Sequence, residues 1–220
     1  MRVALTFDAE HPDRAHRTGA HDGILDVLAE RDVHATFFLQ GRWVESSPGS
    51  ARRVAGDGHL IGSHSYYHAR LPLLTDDGLI SDVEEAERAI RDVVGVDPRP
   101  WFRCPFLDGE DDPRVVGLLT GLGYRVVPVD IVLDDWEEDR SGKVIAADAI
   151  ESVGRLAGDG ATDAIVLLHS WPTQTLAALP AMIDGLRAIG ATFIDAADLP
   201  ASSLVAPVPE AGGRQVSGRW

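Results

Sequence analysis

Short apolar runs alternate along this chain with longer stretches whose apolar positions return every three or four residues. Residues 2–7, 34–39, 60–62, 101–102, 124–129, 164–168 and 191–194 have the length and the aliphatic and aromatic content of buried strands. The segments between them carry helix signals. Thr75 can cap a helix whose apolar face is Leu79, Ile80, Val83, Ala86, Ile90, Val93 and Val94. Asp112 before Pro113 opens another, with Leu118, Leu119 and Leu122 inward and Gly123 as its stop. A third is marked by Ala147, Ile150, Val153 and Leu156. The last carries Leu176, Leu179, Ile183 and Leu186, with Pro180 inside it and Gly190 at its end. Strand–helix alternation of this kind predicts an α/β fold with a parallel sheet. About seven such units suit a distorted (β/α) barrel with outer helices better than a small open sheet, and an open doubly wound sheet is the rival.

The pattern fills residues 1–200 as one domain. Beyond Pro200 the composition turns to Ala, Ser, Pro, Gly and Arg, so residues 201–220 read as a tail. At 220 residues the chain is long enough to bury a core without staples, and its single cysteine, Cys104, permits no internal disulfide. No run of 18 apolar residues exists to span a membrane. The opening MRVALTFDAEHPD is not a secretory signal, so with Met1 as the natural start a cytoplasmic location is expected. A net charge of −15 repels phosphate backbones and excludes nucleic acid as the expected partner. Lys143 is the only lysine, so Schiff-base chemistry would rest on one residue.

In a parallel α/β sheet the working residues sit at the C-terminal ends of strands. The polar residues found there are Asp8 and Glu10, His64 and His68, Arg103, the trio Asp134, Asp135 and Trp136, and His169. His64 and His68 could be two surface imidazoles or two ligands of a divalent ion, with Asp8 or Glu10 completing the set. Asp8 and Glu10 point the same way if the strand stays extended through them, and otherwise are solvated acids in a loop. Arg103 could pair bidentately with one carboxylate, or form a structural ion pair. His169 is either a satisfied core imidazole or a general acid, with Asp135 as its natural partner. Taken together the set describes a metal-dependent hydrolase of amides or esters. No GxSxG elbow and no Walker-type phosphate loop is present, and Cys104 reads as a small buried side chain.

These strings, in this order, resemble the polysaccharide deacetylase family, the NodB-homology domains of carbohydrate esterase family 4. TFDAE is similar to that family's TFDDGP motif, residues 35–41 (ATFFLQG) to its second strand, HSYYH to its H-[ST]-x-x-H motif, and FRCPF to its R-x-P-[YF] motif. Asp135-Trp136 and the LLH of residues 167–169 stand in for the last two motifs. The resemblance implies a divalent ion, zinc first and cobalt, nickel or manganese as alternatives, held by His64 and His68. It implies Asp8 as general base, Arg103 as the residue that positions it, and His169, tuned by Asp135, as the acid that protonates the leaving amine. The main-chain N–H of Phe106 would help hold the oxyanion, and Trp136 and Leu168 would wall an acetyl-sized pocket. The substrate implied is a small molecule or oligosaccharide bearing an N-acetyl group, with a cyclic amide or ureide as alternative. Where most relatives have a second, metal-binding aspartate, this chain has Ala9. Glu10 is the expected replacement, after the Asp-x-Asp arrangement of some relatives; if it cannot reach, Asp8 must bind the ion and another base is needed, assisted by His11 or Asp13. A protein that binds metal or sugar without turnover is the remaining alternative. Residues 10–23 are the expected specificity segment, and Ser170 and Val132 suggest an altered substrate end.

Overall fold

Six of the seven expected apolar runs form strands at nearly their expected places in the computed structural model, which describes residues 1–11 and 19–204. The strands are β1 (Arg2–Ala9), β2 (Thr36–Leu39), β3 (Leu60–Ser63), β4 (Trp101–Phe102), β5 (Arg125–Val126), β6 (Ile131–Val132), β7 (Asp163–His169) and β8 (Thr192–Ile194). Between them lie α1 (Ala20–Glu30), α2 (Gly41–Ser46), α3 (Pro48–Gly56), α4 (Asp76–Val94), α5 (Pro113–Gly121), α6 (Gly142–Gly158) and α7 (Thr173–Ala188). Every strand pair is parallel, in the order β5-β4-β3-β2-β1-β7-β6. β7 runs along one edge of β1 from Arg2 to Asp8. On the other edge β8 pairs with Arg2–Ala4, and β2 takes over from Thr6 to Ala9. That change of partner is the distortion of the barrel.

The seventh expected strand, residues 124–129, divides. Its first part is β5, at one end of the sheet path; after residues 127–130 the chain begins β6, at the other end. So short a link spans about 18 Å at most, which holds the two ends of the sheet near each other. The sheet is therefore a curled, incompletely closed (β/α) barrel. Asp135 consequently follows β6, the neighbour of β7, and not the strand that the apolar run suggested.

The alternation of side chains across the sheet separates two environments. Odd positions of β1, Val3, Leu5, Phe7 and Ala9, join the main core beneath α1, α3, α6 and α7. Even positions face the barrel interior. There Ala4, Phe38, Val127 and Ile165 form an apolar floor with Ala196, Leu199 and Leu204. Leu204 is 2% exposed, so packing of the domain continues past Pro200, where the tail was expected to begin. Above the floor the interior turns polar, with Thr6, then Asp8 and Glu10.

The helix signals mostly hold. Thr75 Oγ1 accepts the Gly78 N–H at 3.2 Å, and Asp112 Oδ1 accepts from Arg114 and Val115. In α6 the buried stripe is Gly142, Ile145, Ala146, Ala149 and Val153; Ala147 is exposed, one position off the expected face. Gly142 matters for the site. A Cβ there would lie 2.7 Å from the α7 backbone at Ala177 and Ala178, so glycine lets the two helices touch where α7 brings Thr175 to Asp135.

Candidate active site

Asp8 and Glu10 point the same way because the backbone stays extended through Ala9, whose methyl turns into the helix-side core. Both carboxylates are nearly buried, at 3% and 4% exposure. His64 directly follows β3. The residues after it form no helix: Ser65 and His68 have left-handed φ of 60° and 58°. Asp82, on the buried face of α4, accepts the N–H groups of Tyr66 and Tyr67, and Ser65 Oγ accepts that of His68. This knot turns His68 back toward His64. Asp82 was missed from sequence; its signal was a carboxylate within the apolar stripe of a helix.

Glu10, His64 and His68 each offer one ligand atom, and these atoms all lie within 4.8 Å of one another. Glu10 Oε2 is 3.4 Å from His64 Nε2 and 2.5 Å from His68 Nε2. The same oxygen is buried without a partner of hydrogen-bond geometry. His64 Nδ1 lies 2.9 Å from the Arg103 carbonyl, to which it donates as the Nδ1–H tautomer, leaving Nε2 directed at the carboxylates. Two imidazole nitrogens and one carboxylate oxygen around a common point suit a divalent ion such as zinc, and the residues present fit it. Burial alone would raise the Glu10 carboxyl, but the imidazoles of His11, His64 and His68 outweigh it and hold it well below its ordinary value. Burial would lower His64; Asp8 and Glu10 raise it instead. For His68 burial prevails and its pKa falls.

Arg103 is wholly buried above the barrel floor. Its Nε donates to the Val127 carbonyl at 2.9 Å, its Nη2 to Thr6 Oγ1 at 3.1 Å, and its Cζ lies 4.6 Å over the Phe38 ring. Taking a guanidinium out of water costs several kcal/mol, which these contacts and the Asp8 charge offset. The pairing with Asp8 is not bidentate as expected. Nη1 stands 3.7 Å from Asp8 Oδ1, and both atoms lack hydrogen-bond partners. Arg103 thus acts on Asp8 through charge across a short gap, because its other nitrogens are committed elsewhere.

On the opposite wall, His169 Nδ1 is 2.8 Å from Asp135 Oδ1. Asp135 Oδ2 accepts from the His169 main chain at 2.8 Å and from Thr175 Oγ1 at 2.5 Å. Burial would lower the His169 pKa, but the charge and hydrogen bond of Asp135, with Glu10 and Asp8 behind, raise it to about 9. The imidazole is therefore held protonated with Nε2 free to face the mouth, 3.9 Å from Glu10 Oε1.

The expected wall residues divide. Trp136 sits edge-on to His169, ring centres 5.0 Å apart. Phe106, at φ 58°, packs its ring against His68 at 4.4 Å, and its turn is closed by the N–H groups of Leu107 and Asp108. Leu168 does not reach the mouth: it is fully buried in the helix-side core, and Leu167 is the residue on His169's side of β7. Ser170 is buried, its N–H on the Asp8 carbonyl, and Val132 is 37% exposed. An open cleft of about 1110 Å³ leads away from Glu10 between Trp43, Trp136 and Trp171. Both ends of the expected specificity segment, Glu10 and His11 and then Gly19–Asp22, line it; residues 12–18, Asp13 among them, lie outside the described residues. Among the described residues no helix is long and apolar enough to cross a membrane.

Known proteins share the fold. A family model described as polysaccharide deacetylase matches residues 1–127. The chain is 35% identical over 174 residues to a chitin deacetylase of Colletotrichum lindemuthianum, covering 76% of this chain and 68% of that protein. It is 28% identical over 198 residues to the peptidoglycan-N-acetylmuramic acid deacetylase of Bacillus subtilis, covering 90% of this chain and 70% of that one. The solved structure of the Colletotrichum lindemuthianum chitin deacetylase matches with a TM-score of 0.75 at 32% identity, over 88% of this chain and 84% of that one.

Proposed function

The chain belongs to the polysaccharide deacetylase family, and from that premise we propose that it is a metal-dependent hydrolase of non-peptide C–N bonds that removes the acetyl group from an acetylated amino sugar or its oligomers. The observation that carries this is the convergence of Glu10, His64 and His68 on one point between a buried carboxylate, Asp8, and the Asp135-paired imidazole of His169. A divalent ion held by Glu10, His64 and His68 would polarise the amide carbonyl and lower the pKa of a water toward about 7. Asp8 takes the proton as water attacks the carbonyl carbon, with the Arg103 charge facing it across 3.7 Å. The Phe106 N–H donates to the oxygen as it gains charge. His169 then gives its proton to the amine nitrogen as the C–N bond breaks, and Asp135 with Thr175 holds the ring to that task. Acetate and a free amine leave. Trp136 and Leu167 flank the space beside His169, and the tryptophan-lined cleft suits the faces of sugar rings.

Ala9 was the support for a binding protein without turnover, and the placement of the Glu10 carboxylate beside His64 and His68 weighs against that reading. The test is acetate release from N-acetylglucosamine oligomers by chelator-stripped and zinc-reloaded protein, with a cyclic ureide assayed alongside. Zinc-dependent acetate release is expected. Ring opening of the ureide without acetate release would favour the other substrate class, and sugar binding with no product would leave the binding-protein reading.

A further inference from the structure

We infer that His11, together with Trp171, positions Glu10 as a one-oxygen ligand by holding the carboxylate oxygen that does not face the histidines. The inference rests on the reading of Glu10, His64 and His68 as the ion site, and it assigns a role to a residue that the mechanism above leaves unused.

A glutamate at a site otherwise built for the shorter aspartate has an additional rotatable bond, and that freedom must be removed for it to ligate well. The two Glu10 oxygens have separate surroundings. Oε1 lies 2.7 Å from His11 Nε2 and 3.4 Å from Trp171 Nε1, a donor. Oε2 faces His64 and His68 instead. Binding both oxygens to one ion would require giving up the contacts on Oε1, so the arrangement selects a single ligating atom.

His11 is itself held. Its φ of 65° is left-handed, a conformation that a residue with a Cβ adopts only where its surroundings demand it. The surroundings here are specific. The His11 N–H donates to Gln40 Oε1 at 3.1 Å, and Gln40 is 3% exposed and tied by its own N–H to the Ala9 carbonyl. The His11 ring stands edge-on to Trp171 at 5.4 Å and tilted against His68 at 5.7 Å. The turn after β1 thus spends backbone strain to aim one imidazole at Glu10. His11 is not a member of the ligand cluster, so its part is to orient the ligand.

The experiment is zinc affinity measured on the full chain by competition with a chelator, for the wild type, His11→Ala and His11→Gln, with thermal melting as a check of folding. The glutamine amide places a donor near where Nε2 was, and both variants carry the same left-handed strain, so their difference isolates the donor. We expect one ion per chain throughout, an affinity about 10- to 100-fold weaker in His11→Ala, and recovery of most of that loss in His11→Gln. Wild-type affinity in His11→Ala, or equal weakness in the two variants, would overturn the inference. Absence of tight zinc binding by the wild type would instead overturn the ion site on which it rests.

Discussion

Replacing Asp8 by asparagine is expected to lower kcat/KM for an N-acetylated amino sugar by about 10²- to 10⁴-fold while leaving one bound ion per chain. The substitution keeps the size of the side chain and removes its capacity to take a proton. Asp8 is not among the three residues whose ligand atoms cluster; its Oδ2 stands 3.6 Å from His64 Nε2. Stability falls as well, because Arg103 is fully buried and Asp8 is the carboxylate it faces. Removing one partner of a buried pair typically costs about 3–5 kcal/mol. Kinetics are therefore compared well below the melting temperature of the variant. Loss of ion binding together with activity would place Asp8 among the ligands and leave the reaction without its assigned base.

Disabling the opposite wall has an effect of similar size and a different pH signature. His169→Gln should lower kcat by about 10²- to 10⁴-fold, since glutamine cannot give a proton to the leaving amine. Asp135→Asn leaves the imidazole but removes the charge that holds its pKa up to about 9. The acid works only while protonated, so activity is lost as pH rises through its pKa. With Asp135 neutralised, burial still lowers that pKa, and the basic limb of the kcat profile must move to lower pH. The divalent charge shifts wild type and variant in the same direction, so their difference survives. An unchanged basic limb in Asp135→Asn would show that another group donates the proton.

Much of this was legible in the chain because long buried strands write themselves as apolar runs and their ends carry the chemistry. β1 and β7 are the clearest, and their registered ends, Asp8 beside His169, are the centre of the mouth. β5 and β6 were not legible: two-residue strands have no periodicity, and one apolar run spans the passage from one end of the sheet to the other. α1, preceded by Gly19 without a side-chain cap, lacks the usual start signal, and α2 and α3 are too short to show a helical period. In α6 the scattered alanines left the buried face ambiguous by one position. Within the site the sequence named the residues that follow strands and missed those arriving from elsewhere. Asp82 comes from α4 and Thr175 from α7, and each meets the site only through tertiary packing. Leu168 was carried over as a wall residue from the resemblance, whereas it lies in the helix-side core, on the face of β7 opposite to that of its neighbour His169.

The account stands most directly on Glu10 doing the work of the absent aspartate at Ala9. Titrating zinc into chelator-stripped protein, wild type against Glu10→Ala, tests it with the fewest assumptions. The prediction is one tight ion per chain in the wild type and binding weakened by at least about 100-fold in the variant, with thermal melting as the check that the variant is folded. Equal affinity in the two proteins would contradict the account, and so would a wild type that binds no tight ion at all.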